Sequence, residues 1–408
     1  SAGNLSNQGH IDGSVSSGAN LTNGGTIGGS ASATHTLANS GAIGTRGGTV
    51  SVSAGNLANT GSLGGDALYL STTRFDNNGG TLTAQALHIT ATDIDNRDGV
   101  IRGEAALVLV ATGEIDNTGG ALSSGGLLAL VDGNTAPGAP TLFINNTNGH
   151  LQGEEVILTG ATLDNSGGQI IGTDVRIGLG DTLDNTRGQI GAAESALIVT
   201  GGDLINDSGQ IEAGAMHLEV GGSLYNRTLV ESAHTVIETL DGPQPSLIFG
   251  ARDSDPTGPQ TFITDVAHTQ VAEARATITT HNGDLTLKVG GDLVMRGAEL
   301  GASGQLLGQV SGNIDITGLA LTQSQSHTVV ERRTDSAAPE DAFGGTSLLL
   351  AQPTPPQDLV LSASAASTTT VLQSDIHAGG DVVLVAGANA QFVGTDISAG
   401  GGVSLVAG

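Results

Sequence analysis

An asparagine recurs at intervals of roughly twenty residues through the first half of the chain, within a phrase apolar-x-Asn-x-(x)-Gly-x-(x)-apolar. Leu5-Ser6-Asn7-Gln8-Gly9-His10-Ile11 returns as Leu21-Thr22-Asn23-Gly24-Gly25-Thr26-Ile27 and again as Leu37-Ala38-Asn39-Ser40-Gly41-Ala42-Ile43. The series continues through Asn59, Asn77, Asn96, Asn117, Asn146, Asn165, Asn185, Asn206 and Asn226. A period of this length means stacked units, each too small to bury its own apolar face, rather than a closed globule. Aromatics make up only 2% of the chain and Trp is absent, so a core of large interlocking rings is not available. Hydrophobic residues nevertheless reach 38%, too many for a disordered chain. Many thin layers of Leu, Ile, Val and Ala fit both numbers.

One unit shows how such a layer is built. Leu163-Asp164-Asn165 runs into the turn signal Ser166-Gly167-Gly168, then into Gln169-Ile170-Ile171-Gly172. Asp174-Val175-Arg176-Ile177-Gly178-Leu179 alternates polar and apolar with period two, and Gly180-Asp181-Thr182 turns the chain into the next unit. No segment carries a sustained helical period. Short strands at a fixed phase pair in parallel with the same strand one unit later. The expected fold class is all-β, a right-handed parallel β-helix (solenoid) with loop or hairpin insertions. Roughly seventeen to twenty layers spaced by the inter-strand distance predict a rod about 80–95 Å long.

The recurring Asn has a mechanical role in such a coil. Strand pairing stops at a corner, and each backbone group left unsatisfied inside costs roughly 1–3 kcal/mol. An inward amide can bond the Asn above, the Asn below and the corner backbone. Asn also tolerates the left-handed conformation that a corner needs. The twelve asparagines are therefore read as struts and not as a site.

Spacing divides the chain into three. Residues 1–227 carry the Asn repeat, with a loop at Asp132-Gly133-Asn134-Thr135-Ala136-Pro137-Gly138-Ala139-Pro140 accounting for the long step from Asn117 to Asn146. Residues 228–280 form an irregular junction with hairpins or loops around Asp241-Gly242-Pro243 and Asp253-Ser254-Asp255-Pro256. Residues 281–408 follow a second phrase, Gly-(Asp/Asn)-apolar-x-apolar, as in Gly283-Asp284-Leu285, Gly291-Asp292-Leu293, Gly312-Asn313-Ile314 and Gly380-Asp381-Val382. A flexible loop is expected to interrupt this part at about 323–357.

The net charge is −27 and Lys288 is the sole lysine, which argues against nucleic acid, heparin-like polyanions and anionic lipid as partners. Self-repulsion at that charge makes a monomer the expectation. Cysteine is absent, which is compatible with the cytosol and also suits a chain that must cross a bacterial envelope unfolded, and no apolar run approaches transmembrane length. The sequence starts at Ser1 and stops at Gly408 within repeats, as expected of an internal piece of something longer.

Tandem Leu-Asp-Asn-(Ser/Thr)-Gly-Gly-x-Ile units passing into Gly-Gly-Asp-Leu-x-Leu units resemble the two haemagglutinin repeat types of filamentous haemagglutinins and contact-dependent growth-inhibition effectors. That resemblance covers most of the chain and implies a large two-partner-secreted exoprotein, exported through an outer-membrane transporter to the bacterial surface. It further implies an adhesive region or a C-terminal toxin carried on a β-helical filament. The secretion-domain motif Asn-Pro-Asn, the pre-toxin motif Val-Glu-Asn-Asn and Arg-Gly-Asp do not occur, so the sequence corresponds to shaft across the junction of the two repeat types.

Chemistry-bearing patterns are few. Asp76, Asp95, Asp116, Asp164 and Asp184 precede a ladder Asn and are expected to form an exposed acidic stripe. One residue type repeated at the same position of several layers is surface patterning, whereas paired glycosidase carboxylates or a cation site would be unique. No calcium-binding nonapeptide register, Walker lysine or metal-spaced histidine pair occurs, and no cofactor is expected. Recognition concentrates where a rigid scaffold is interrupted. Tyr225, Phe249, Arg252, Phe262, Arg332, Arg333 and Phe343 lie in or beside the interruptions and are the candidate partner-binding residues. The expected function is a non-enzymatic filament shaft for adhesion or toxin delivery. The alternatives are a polysaccharide-binding or polysaccharide-cleaving β-helix, and a receptor-binding module centred on 228–280, with a host-cell or target-bacterium receptor as its partner.

Overall fold

The computed structural model describes residues 2–45, 48–134, 139–241, 260–333 and 357–408, and among these every regular element is a β-strand. The chain forms two compact units. Ser1–Leu229, Glu273–Leu319 and Leu372–Gly408 make one, and Val230–Ala272 with Ala320–Val371 make the other.

In the first unit, each strand pairs in parallel with the strand at the same phase of the next repeat, so identical positions stack. Leu163, Leu183, Leu204, Leu224, Leu293 and Ile314 follow one another in register. Ile170, Ile190, Ile211, Ile278, Leu300 and Ile376 make a second column. Val175, Ala196, Met216, Leu285, Leu306 and Val382 make a third. All are buried, and with their counterparts they form one continuous apolar cluster from Val15 to Ala386. The alternation that produces this is plain in Gln189–Thr200, where Ile190, Ala192, Ala196, Ile198 and Thr200 point inward. Each buried Leu, Ile or Val is worth about 1.5–3 kcal/mol of transfer free energy, and the neighbouring repeat supplies the cover.

The interruptions do not disturb this register. The Leu229 carbonyl accepts a hydrogen bond from the Glu273 amide at 2.9 Å, so the chain re-enters the stack where it left. The Arg187 guanidinium anchors that return with two bonds to the Glu273 carboxylate, 2.7 and 2.8 Å. The ladder position is Asn twelve times and is then filled by Met295, Ile316 and Phe392. The stack is thus shorter than the roughly seventeen to twenty layers expected from length, because much of the chain beyond Leu229 belongs to the second unit.

That second unit is a four-stranded sheet in the order Val230–Asp241, Gln260–Ala272, Leu319–Arg333, Gln357–Leu372. The first three strands are antiparallel, with His234 opposite His268 and His268 opposite Ser324. The segment expected as a loop at about 323–357 is therefore strand as far as Arg333 and again from Gln357. Its partners, such as Ile263 opposite Val329, lie far away in sequence, and no local pattern announces such a pairing.

Candidate functional site

Each ladder Asn from Asn7 to Asn206 donates from Nδ2 to the Oδ1 of the next at 2.7–2.8 Å, an unbroken line ending at Asn226. The same amide donates to a glycine carbonyl of its own corner at 3.1–3.3 Å, for example Asn165 to Gly168. All twelve are 0–6% exposed. The line holds across the long step from Asn117 to Asn146, where the Asp132 carboxylate gathers the Asn134, Thr141 and Leu142 amides at 2.8, 2.6 and 3.1 Å. Beyond Asn226 the next position is Met295, and Asn226 Nδ2 turns to the Glu299 carbonyl at 2.8 Å.

The left-handed corner falls elsewhere than expected. Among the described residues the ladder asparagines do not take a positive φ. The residue two positions on does: Gly79, Asp98, Gly119, Asn148, Gly167, Arg187 and Ser208 have φ between 52° and 65°. The Asn sits within one residue of the strand end, with its amide held inward, so the turn is made after it. A further position on, Gly80, Gly99, Gly120, Gly149, Gly168, Gly188 and Gly209 lie against the preceding repeat. A Cβ there would collide with the backbone carbonyl of the earlier ladder Asn. The invariant feature of this corner is close approach.

The aspartates before the ladder are turn caps. Asp76, Asp116, Asp164 and Asp184 accept the backbone amide two residues on at 2.9–3.1 Å, and Asp95 accepts that of Arg97 at 3.3 Å. Folding back onto the turn makes them half-buried, and Asp95 is only 6% exposed, which replaces the exposed stripe expected from alternation. Arg97 clasps Asp95 with two bonds of 2.9 and 2.6 Å, and this holds the Asp95 carboxyl below the usual carboxylate range. Among the described residues no group of three His, Asp or Glu is arranged to hold a metal.

A second column, which sequence reasoning missed, runs through the Gly-Asp phrase. Asp203 Oδ1 accepts the Ser223 amide, Ser223 Oγ accepts the Asp292 amide, Asp292 Oδ1 accepts the Asn313 amide, and Asn313 Oδ1 accepts the Asn389 amide, at 2.6–3.2 Å. It staples successive repeats across the junction where the Asn ladder stops. The recurrence of Gly-Asp was its signal, but the phrase reads equally as a strand start.

The candidate partner-binding residues do not converge. Tyr225 sits in the first unit with the Arg227 guanidinium 4.8 Å over its ring, and Arg227 is itself bound to Asp207 at 2.8 and 2.6 Å. Both therefore have structural work within the stack. Phe262 is half-buried in the second unit, on the strand Gln260–Ala272. Arg332 and Arg333 end the strand Leu319–Arg333, and Phe249, Arg252 and Phe343 lie outside the described residues.

The four-stranded sheet itself is the open surface. Among the described residues none of its side chains in 230–272 or 320–371 is buried, and Val236, Ile237, Val271, Val360, Leu361 and Val371 are 49–58% exposed. One face carries a hollow of about 390 Å³ lined by Ile237, Asp265, Gln325, His327 and Ser364, in which His327 Nδ1 meets Asp265 Oδ1 at 2.6 Å. The other face stacks His234 beside His268, ring centroids 6.4 Å apart. Both members of the His327–Asp265 pair are about half exposed, far from the water-excluded setting in which a nucleophile is activated. No family model, curated protein or solved structure matches the chain.

Proposed function

We propose that the first unit is a right-handed parallel β-helix and serves as a rigid shaft segment of a large secreted bacterial surface exoprotein. The whole protein would act in adhesion or in contact-dependent delivery of a C-terminal toxin, after export through an outer-membrane two-partner-secretion transporter. The carrying observation is the unbroken line of Asn-to-Asn hydrogen bonds from Asn7 to Asn226, along which every repeat is fixed to the next by the same atoms. Such a device resists bending and shear because sliding one layer breaks buried bonds at every corner. It has no reacting group, and its work is reach.

Modularity is the test. Deleting residues 147–206 joins Asn146 to Asp207 in register, so a shaft remains β-rich by circular dichroism and unfolds cooperatively. Collapse into an unfolded chain would mean a closed fold and sink the proposal. So would new reducing ends or unsaturated products after incubating the full chain with acidic and neutral polysaccharides, with and without calcium.

A receptor-binding role is favoured as a second reading by the sheet, which buries no side chain among the described residues of 230–272 and 320–371. Removing 230–272 and 320–371 together leaves Leu229 adjacent to Glu273, which are already hydrogen-bonded. Loss of attachment to target cells with the stack intact would support that reading, and unchanged attachment would remove it.

A further inference from the structure

We infer that the outer strand Gln357–Leu372 pairs antiparallel with the same strand of a second copy of this chain, joining two four-stranded sheets into one of eight. The inference stands apart from the shaft reading, since it concerns the second unit alone. Among the described residues this strand has a single neighbour, Leu319–Arg333, and its side chains from Val360 to Val371 are all exposed. An outer strand of this kind is a template for further pairing unless something blocks it, and charges, proline and bulges are the usual blocks. From Leu359 to Leu372 there is no charged residue and no proline, in a chain carrying a net charge of −27.

The sequence of this strand is self-complementary. Val360-Leu361 opens it and Val371-Leu372 closes it, with Ser, Ala and Thr alone between them. A twofold axis perpendicular to the sheet at Ala366 sets Val360 against Leu372, Leu361 against Val371, Ser362 against Thr370 and Ser364 against Thr368 of the other copy. Apolar meets apolar at both ends, hydroxyl meets hydroxyl at Ser362 and Ser364, Ala363 faces Thr369, Ala365 faces Ser367, and the smallest side chains lie at the axis. A shift of two residues in either direction sets Leu361 against Thr369 or against Gln373, so one register is preferred. Such an isologous contact closes at two copies.

The opposite outer strand shows what a blocked edge looks like. Val230–Asp241 carries Glu231, Glu238 and Asp241. Self-pairing about Val236 would set Glu231 against Asp241, carboxylate against carboxylate. Overall repulsion between two acidic chains does not prevent the contact at Ala366. At physiological ionic strength it is screened beyond about 8 Å, and the paired stretch from Val360 to Leu372 contributes no charge, the strand's one carboxylate residue, Asp358, preceding it.

Sedimentation equilibrium of the full chain over about 1–300 µM tests this, a range suited to a small interface of micromolar affinity. The expected result is a monomer–dimer equilibrium with no larger species. Ala366→Lys and Ala366→Glu each put like charges face to face on the axis and should weaken the dimer about tenfold or more. Mixing the two variants should restore it, because lysine then faces glutamate. Far-UV circular dichroism of each variant, unchanged from the parent, confirms that the fold is intact. A parent that stays monomeric, assembly beyond two copies, or dimers indifferent to both substitutions would each overturn the inference.

Discussion

The two units use similar strand-forming residues to opposite effect. In the stack, Leu163 and Ile170 point into an interior that the next repeat covers, and the polar groups of each corner are met by an inward amide. In the four-stranded sheet, Val236, Ile237 and Leu361 stand about half exposed. There the backbone ladder and cross-strand side-chain pairs, worth roughly 0.2–1 kcal/mol each, carry the structure. Burial therefore comes from repetition and not from composition, since a strand without a repeat above it has nothing to cover its face. Stability should concentrate in the stack, and adaptability in the sheet.

The largest effect is expected where the stack is tightest. Gly168→Ala drives a Cβ into the Asn146 carbonyl, which is backbone and cannot step aside, and should cost more than about 4 kcal/mol in chemical denaturation. Its neighbour is the control. Gly167 has φ +64°, the equivalent residue one repeat earlier is Asn148 at +53°, and a Cβ at Gly167 meets only the end of the Asn148 side chain, which can swing aside, so Gly167→Asn should be close to neutral. Equal losses at the two glycines would mean that close approach is not what fixes the corner. Asn165→Ala comes next, at about 3–4 kcal/mol. It leaves Asn185 Oδ1 and the Gly168 carbonyl buried with fewer partners, and takes one acceptor from Asn146.

One chemistry placed in both units then tests the comparison directly. Leu163→Ala opens a cavity in the stack and should cost about 2–5 kcal/mol. Leu361→Ala, at 50% exposure, should change unfolding of the dilute monomer by no more than about 0.5 kcal/mol. A large loss at Leu361 would show that the sheet has cover of its own.

These contrasts mark what the sequence could and could not disclose. The ladder was legible because its members obey one local rule, an apolar residue two positions before and, in all but the last, Asn226, a glycine two or three after, repeated until chance is excluded. The parallel register follows from the same periodicity. The corner conformation was misplaced by two residues, because the need for a left-handed turn can be read from Gly167 and Asn148 only once the strand end is known. The fate of 320–333 and 357–371 was not legible at all. Thr328-Val329-Val330 is strand-like, but its partner Phe262-Ile263-Thr264 lies across a junction, and pairing at that distance leaves no mark on either segment. Tyr225 was singled out for its ring, yet the Arg227 guanidinium already covers it.

The smallest expected effect separates the two units by charge. Asp95 is almost fully enclosed, and its two bonds from Arg97 keep its carboxyl below the usual range. Asp265 meets His327 with both side chains about half exposed, where solvent screens the pair. At neutral pH Asp95→Asn should lower the denaturation midpoint slightly, and Asp265→Asn should leave it in place. The pH dependence follows from the direction of the Asp95 shift. In the unfolded chain an aspartate takes up its proton near about pH 3.9, whereas in the folded chain Asp95 does so lower. Its contribution is then complete above the unfolded value and is lost as pH falls through the folded one. The gap between the parent and Asp95→Asn should stay constant from about pH 7 to pH 5 and close below about pH 4. A gap that persists unchanged at pH 3, or widens there, would show that Arg97 steadies the turn through its packing and not through the charge it places on Asp95.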